Sequence, residues 1–309
     1  MKIAVMGSGG VGGFYGGRLA HAGADVTFVA RGKHLAAMRE HGLLIENAAQ
    51  GDIHLPRVQV TDDPATIGPV DLVLVGVKLW DLEAAARTFK SVVGPGTAVL
   101  SLQNGVIKDD ILRRIFGDKA VMGGVGYVAT HIARPGVILQ VGTLQRMIFG
   151  EYDGTRSVRA QALLDLALKA GLQAELSTDI RRTLWEKYTF LVGLSGTTTT
   201  MRSTIGPIRA NPQTRAFLHD MMKEVVAVGR AHGVALPEHY ADERLAFADT
   251  VSPEMTSSMH HDLDSGNPLE VEWLSGGVVT LGAQAGVPTP VNRAVWDVLA
   301  LHAKGRRRD

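Results

Sequence analysis

The sequence KIAVMGSGGVG at residues 2–12 joins a short apolar run to a cluster of glycines. The glycines fit the pattern G-x-G-x-x-G, and a helical pattern extends from Gly10 to Ala22. In this pattern the first glycine permits a tight turn, the second lets the backbone approach a pyrophosphate, and the third lets helix and strand pack closely. The N–H groups at the start of the helix attract an anion. We therefore predict a dinucleotide-binding loop with six contact residues: Gly7, Ser8, Gly9, Gly10, Val11 and Gly12.

Strand and helix patterns alternate after this loop. The segments Asp25–Ala30, Asp71–Gly76 and Thr97–Ser101 are short and apolar, and helical patterns separate them. Strands that alternate with helices are typical of βαβ units, in which a parallel sheet carries helices on both faces. Around Arg134-Pro135-Gly136 the alternation instead predicts a pair of antiparallel strands appended to this sheet.

After Ser177 nearly every segment has helical periodicity and the strand pattern disappears. We therefore predict an α/β, Rossmann-type, doubly wound N-terminal domain followed by an all-α C-terminal domain. The predicted domains are residues 1–178, which bind the cofactor, and residues 179–309, which carry the substrate and catalytic groups. A chain of 309 residues is long enough for two domains.

Residues at the ends of the predicted strands indicate which dinucleotide is bound. Ala30-Arg31-Gly32-Lys33 follows the second strand and contains no acid, whereas NAD sites usually place Asp or Glu there. Arginine matches a 2′-phosphate through its planar guanidinium group. We therefore predict NADP, in its reduced form NADPH, with Arg31 as a contact. Lys78 and Asn104 also follow strands, where ligands of doubly wound sheets lie.

The composition excludes several other classes of protein. The chain has no cysteine, which excludes disulfides, thiol catalysis and thiolate metal sites. Its net charge of +1 gives no indication of a nucleic-acid or membrane-surface partner. His260 and His261 are adjacent, so they point to different faces of a helix, and we predict no metal site. No apolar stretch reaches the roughly 20 residues of a membrane span, and glycines follow the N-terminus too soon for a signal peptide. We expect a cytoplasmic protein without membrane or nucleic-acid partners, and a solvated basic tail at residues 305–309.

Motifs along nearly the whole chain resemble the ketopantoate reductase (2-dehydropantoate 2-reductase) family. They are MGSGGVGGFYG at 6–16, VAR at 29–31, VKLWD at 77–81, QNG at 103–105, LWEK at 184–187, SSMHHD at 257–262 and LE at 269–270. The resemblance implies a two-domain NADPH-dependent reductase of 2-dehydropantoate, which supports pantothenate and coenzyme A synthesis. Its partners would be a small 2-oxo acid and, at most, a second copy of the chain, as a monomer or homodimer.

The resemblance also assigns roles to individual residues. Lys187 matches the catalytic lysine, which bonds to the substrate carbonyl and donates a proton as hydride arrives. Glu270 matches an acidic residue that helps to fix this lysine, the substrate and the cofactor. Asn104 would hold cofactor and substrate, Ser258 would bond to the substrate carboxylate, and Lys78, like Arg31, would contact the cofactor. An ammonium group suits this chemistry because it stabilises negative charge and carries a transferable proton.

Three positions depart from the family pattern. Leu191 and Ser195 stand four and eight residues after Lys187, where the family has asparagines, and Ile205 replaces a third. Lys187, Leu191 and Ser195 would share one helix face and line the substrate site. This face is less polar than ketopantoate requires, so an enzyme for a less polar 2-oxo acid is an open alternative.

Three alternatives to the family activity follow from these observations. A D-2-hydroxyacid dehydrogenase on the same scaffold would reduce a branched or aromatic 2-oxo acid. A non-catalytic dinucleotide-binding sensor would need neither Lys187 nor Glu270, so the presence of both argues against it. A dehydrogenase of the 6-phosphogluconate type has a comparable domain order, but LWEK and SSMHHD argue against that class. The fold by itself does not separate these activities.

Overall fold

The computed structural model describes residues 1–306. The last three residues, part of the predicted basic tail, lie outside the described residues. The chain divides into two compact units. The first unit comprises Met1–Gln103 and Lys108–Thr183, and the second comprises Asn104–Ile107 and Leu184–Asp309.

The first unit contains ten strands and five complete helices. The strands are β1 (Lys2–Met6), β2 (Asp25–Val29), β3 (Leu43–Glu46), β4 (Ile53–Leu55), β5 (Gln59–Thr61), β6 (Val70–Val75), β7 (Val93–Ser101), β8 (Val121–Arg134), β9 (Val137–Gly150) and β10 (Gln173–Leu176). The helices are α1 (Gly10–His21), α2 (Gly32–His41), α3 (Leu82–Thr88), α4 (Lys108–Phe116) and α5 (Val158–Lys169).

The strands pair in the order β4-β3-β9-β8-β7-β6-β1-β2-β5, and β10 pairs with β9. From β8 through β5 every pair is parallel, whereas β8 and β9 form the antiparallel pair that the sequence around Pro135 predicts. β1 and β6 are almost entirely apolar because strands inside a parallel sheet are covered on both faces. The carboxyl ends of the parallel strands β1, β2 and β6 lead directly into the segments that carry Ser8, Arg31 and Lys78.

The second unit is helical. The helices are α6 (Ile180–Met201), α7 (Ile205–Ala210), α8 (Pro212–Ala231), α9 (Tyr240–Thr250), α10 (Ser258–Ser265), α11 (Ser275–Ala285) and α12 (Pro290–Leu299). Val192 of α6 and Met221 and Val225 of α8 are fully buried in its core. The predicted fold class, a Rossmann-type α/β domain followed by an all-α domain, is confirmed.

The sequence places the domain boundary near Thr178, to within several residues, and the two compact units divide close to that position. The predicted boundary follows Thr178, whereas the first unit extends to Thr183. Ile180, in the first turn of α6, is buried and packs against Gly123 of β8, where an added Cβ would lie 2.7 Å from its Cγ1. The start of α6 therefore belongs to the first unit, and the residues of α6 from Leu184 onward belong to the second.

Candidate functional site

The glycine-rich loop after β1 has the conformation that the motif predicts. Gly7 has φ +89°, and an added Cβ would lie 2.5 Å from Cγ1 of Val77, so a side chain is excluded there. An added Cβ on Gly12 would overlap the carbonyl oxygen of Gly7, which accounts for the close approach of α1 to the loop. At Gly9, which caps α1, an added Cβ would meet nothing within 4 Å. The loop therefore has an open side at Gly9, next to the N-terminus of a helix.

Ser8 is held in this loop by three hydrogen bonds. Its amide N–H and its hydroxyl both donate to the carbonyl oxygen of Val29, at 3.1 and 3.0 Å. Its own carbonyl oxygen lies 2.9 Å from Nε2 of His34. The side chain is buried, so Ser8 can contribute to cofactor binding by fixing the loop. Gly10 and Val11 are half-buried at the start of α1.

Two cations and no acid lie at the end of β2. Arg31 is the N-cap residue of α2, with extended backbone, and its side chain is exposed, as is that of Lys33. The amide N–H of Leu35 donates to the carbonyl oxygen of Arg31, so Arg31 is tied into the first turn of the helix. Arg31 therefore lies at the junction between the carboxyl end of β2 and the N-terminus of α2.

Lys78 and Gln103 follow β6 and β7. The ammonium group of Lys78 lies 5.5 Å above the ring of Trp80, within the range of a cation–π interaction, and both side chains are exposed. Gln103 is buried and bridges the two strand ends: its Nε2 donates to the carbonyl oxygen of Val77 at 2.5 Å, and its Oε1 accepts from the Ser101 hydroxyl at 2.9 Å. The sequence places Gln103 in the QNG motif but assigns it no role of its own, because its bridging contact is to a backbone atom at the end of another strand.

In the second unit, Lys187 and Asn104 are in direct contact. The ammonium group of Lys187 donates to Oδ1 of Asn104 at 2.9 Å, although 83 positions separate the two residues. Lys187 is half-buried on α6, and Asn104 precedes Gly105, which has φ +86°. A hydrogen bond from an ammonium group to an amide oxygen is charge-assisted and therefore fixes the direction of the lysine side chain.

Glu270 is buried, with 5% of its surface exposed, in a 3₁₀ turn at residues 270–272. Its carbonyl oxygen accepts the amide N–H groups of Trp273 and Leu274. The hydroxyl of Tyr188 lies 2.9 Å from the carbonyl oxygen of Trp273 and 2.6 Å from that of Leu274. Burial raises the pKa of Tyr188, so its hydroxyl stays protonated and serves as a donor. Tyr188, the neighbour of Lys187, thus attaches α6 to the turn that carries Glu270.

Ser258 is the exposed first residue of α10. The preceding Ser257 caps the helix: its hydroxyl accepts from the amide N–H of His260 at 3.1 Å and lies 3.0 Å from the hydroxyl of Thr198 on α6. The N-terminus of α10 is therefore attached to α6, and it presents Ser258 beside N–H groups that favour an anion.

Leu191 and Ser195 lie on α6 with Lys187, as the spacing predicts. Leu191 is half-buried, and Ser195 is 1% exposed. The hydroxyls of Thr197 and Thr198 donate to backbone carbonyls four residues earlier in the helix. The Ser195 hydroxyl has no hydrogen-bond partner within the described part of the chain, and this helix face contains one apolar group and one unsatisfied hydroxyl.

Within residues 1–306, no three His, Asp or Glu side chains are placed to hold a metal ion. None of the helices in this range is both long and apolar enough to cross a membrane.

Residues 3–154 match the family model for Ketopantoate reductase PanE/ApbA, and residues 179–303 match the model for its C-terminal part. The chain belongs to the ketopantoate reductase family. The 2-dehydropantoate 2-reductase of Mesorhizobium japonicum is 33% identical to it, over 96% of this chain and 95% of that protein. The resemblance deduced from LWEK and SSMHHD is thereby confirmed.

Solved structures of similar fold include members of this family. The crystal structure of 2-dehydropantoate 2-reductase from Geobacter metallireducens has a TM-score of 0.89 and 30% identity, over 97% of this chain and 99% of that one. A ternary structure of D-mandelate dehydrogenase with NADH and anilino(oxo)acetate has the same fold, with a TM-score of 0.89 over 98% of each chain, at 20% identity. The ketopantoate reductase fold thus occurs in enzymes named for different substrates.

Proposed function

We propose that this protein reduces a 2-oxo acid to its 2-hydroxy acid with NADPH, and that the substrate is 2-dehydropantoate, which becomes pantoate. The observation that carries the proposal is the 2.9 Å hydrogen bond from Lys187 to Asn104, which fixes the direction of an ammonium group in the helical unit. Family membership supports an oxidoreductase acting on a carbonyl group. The pantoate formed would supply pantothenate and coenzyme A synthesis.

The residues of the first unit fit a nicotinamide dinucleotide. The open side of the loop at Gly9 has room for a pyrophosphate, and the N-terminus of α1 favours its charge. Arg31 would bind the 2′-phosphate, and Lys78 would contribute a second cation. The bound cofactor supplies hydride to C2 of the substrate.

Lys187 would bond to the carbonyl oxygen of the substrate. As the C=O π bond breaks, negative charge develops on this oxygen, and the ammonium group stabilises it. A proton then passes from Nζ of Lys187 to the oxygen, which completes the hydroxyl, and the neutral amine recovers a proton from water. Asn104 would orient the ammonium group by accepting its hydrogen bond, and Glu270 would fix the substrate. Ser258, at the N-terminus of α10, would bind the substrate carboxylate.

The test of the cofactor compares NADPH and NADH binding by calorimetry in the wild type and in Arg31→Ala. Wild type should bind NADPH more tightly, and the substitution should weaken NADPH while leaving NADH nearly unchanged, because only NADPH carries the 2′-phosphate. Equal affinities in the wild type would contradict the choice of NADPH. Arg39→Ala is the control, since Arg39 is an exposed arginine in the last turn of the same helix.

A less polar substrate is the second candidate, and Leu191 is the observation that favours it. Leucine offers no hydrogen bond to a terminal hydroxyl such as that of ketopantoate, although the unsatisfied Ser195 hydroxyl could offer one. An apolar pocket rejects an added hydroxyl by only about 10²-fold, so ketopantoate would remain a substrate.

The measurement that separates the two candidates is kcat/KM for ketopantoate, 2-oxoisovalerate and benzoylformate. A strong preference for ketopantoate contradicts the second candidate. Leu191→Asn should move the ratio toward ketopantoate, and an unchanged ratio would show that this helix face does not set specificity. Activity lost in Lys187→Ala, with NADPH binding retained, would exclude the non-catalytic sensor.

A further inference from the structure

His34 joins three segments of the first unit. It lies on α2, three residues after Arg31, and is half-buried. Its Nε2 lies 2.9 Å from the carbonyl oxygen of Ser8 in the glycine-rich loop. Its Nδ1 lies 3.0 Å from the amide nitrogen of Gly136, in the turn between β8 and β9. Both ring nitrogens therefore bond to backbone atoms outside α2.

The two partners determine the protonation of the ring. The amide of Gly136 can only donate, so Nδ1 must carry a lone pair and accept. The carbonyl of Ser8 can only accept, so Nε2 must carry the hydrogen and donate. Only the neutral imidazole with hydrogen on Nε2 makes both bonds. Burial lowers the pKa of His34, which favours the same neutral form.

One of the two atoms that His34 holds belongs to the glycine-rich loop itself, next to the open side at Gly9. Ser8 already donates its amide and hydroxyl hydrogens to Val29, and the bond from His34 occupies its carbonyl as well. Ser8 directly precedes Gly9, where the loop is open. On the other side of the loop, an added Cβ on Gly10 would lie 2.6 Å from the carbonyl oxygen of Thr130 in β8. The loop is thus held by α2 and by the β8–β9 pair together.

We propose that His34 is a positioning residue for NADP, because it holds the glycine-rich loop at a fixed distance from the N-terminus of α2. The loop would receive the pyrophosphate, and Arg31 at the N-terminus of α2 would receive the 2′-phosphate. These two phosphate groups of one ligand have a limited separation, so the two sites must be held in register. The inference rests on the proposed use of NADPH and extends it to a residue without direct cofactor contact.

This role has a consequence that a general effect on folding lacks. NADH has the pyrophosphate but no 2′-phosphate, so its binding depends on the loop and not on the spacing between the loop and Arg31. Loss of His34 should therefore weaken NADPH more than NADH. A purely structural role would lower stability and weaken both cofactors equally.

Three substitutions separate the two bonds of His34. Leucine removes both. Glutamine can place an amide N–H near the position of Nε2 and thus keep the donor to Ser8. Asparagine can place an acceptor oxygen near the position of Nδ1 and thus keep the bond to Gly136. His41→Leu is the matched control, because His41 is an exposed histidine in the last turn of the same helix.

The experiment measures Kd for NADPH and NADH by calorimetry, and thermal unfolding in parallel. His34→Leu removes both bonds, but only the bond to Ser8 orients the loop. We therefore expect this variant to weaken NADPH binding by about 10-fold, as for the loss of that one hydrogen bond, and NADH binding by about threefold or less. His34→Gln should remain near wild type, and His34→Asn should resemble His34→Leu, since the bond to Ser8 orients the loop. If the leucine variant does not fold, the comparison of glutamine with asparagine carries the test.

The outcomes distinguish this inference from the proposed function. A wild type that prefers NADPH, with the same preference in all His34 variants, overturns the role of His34 and leaves the choice of cofactor intact. Equal losses for NADPH and NADH, with a lower unfolding temperature, also overturn it, because they indicate a structural role. A wild type without preference for NADPH overturns the proposed cofactor, and the inference with it.

Discussion

The hydrogen bond between Lys187 and Asn104 allows the mechanism to be tested by a double-mutant cycle. A charge-assisted hydrogen bond of this kind contributes about 1.5–3 kcal/mol. If that energy serves to direct the ammonium group in the transition state, Asn104→Ala should lower kcat by about 10- to 150-fold, at about 1.4 kcal/mol per tenfold. Lys187→Ala removes the charge itself and should lower kcat by about 10²- to 10³-fold.

The double variant decides whether Asn104 acts through Lys187. In that case the asparagine contributes nothing once the lysine is absent, and the double variant should be no slower than Lys187→Ala. The assay is the consumption of NADPH at saturating ketopantoate, with NADPH affinity measured separately. Lys223→Ala is the control, because Lys223 is an exposed lysine on α8 of the same unit. Multiplicative losses, or an unchanged kcat in Lys187→Ala, would refute the reasoning.

Three further predictions concern the first unit. Gly9→Ala should leave the unfolding temperature unchanged, since an added Cβ meets no protein atom within 4 Å, but it should weaken NADPH binding because it occupies the open side of the loop proposed for the pyrophosphate. Gly12→Ala should instead lower the unfolding temperature, because its Cβ would overlap the carbonyl oxygen of Gly7. Lys108→Met should lower the free energy of unfolding by about 3–5 kcal/mol in denaturant titrations, because it leaves the buried carboxylate of Asp109 without its ion pair. Because the pKa of His34 is lowered in the folded protein, the unfolded chain binds more protons, so stability should fall as pH drops below about 6.5. That fall should be weaker in His34→Gln, and an identical pH dependence would show that the ring does not titrate as proposed.

The sequence predicts the central strands well, and also the helix that follows the glycine-rich loop, predicted at Gly10–Ala22 and found at Gly10–His21. β1 and β6 are almost entirely apolar, and each is followed directly by a glycine, which is typical of strands inside a parallel sheet. The short strands β3, β4 and β5 were not predicted, because three or four residues carry little periodicity and their pairing depends on distant strands. β3, for example, pairs with β9, far along the chain.

Part of the candidate site could also be predicted, because some of its residues act through local backbone structure. Gly7, Gly9 and Gly12 carry their roles in their spacing, because each acts through its own backbone. Whether Lys187 lies near Asn104 depends on tertiary structure, and only the resemblance to a family suggested it. His34 and Tyr188 were not identified as functional, because their partners are backbone atoms that any residue would supply.

The segment at residues 104–107 has a consequence for the inheritance of this gene. It belongs to the second unit although its neighbours on both sides belong to the first, and Val106 packs against the apolar core of the helical unit. Recombination between two related genes near codon 183 would therefore join this tetrapeptide from one parent to a helical core from the other. In such hybrids the residue at position 106 comes from one parent and the helical core that it packs against comes from the other, so the packing is preserved only if both parents have the same residue at this position. Across descendants, substitutions at Val106 should thus be accompanied by changes in the distant helical core, rather than in the adjacent codons.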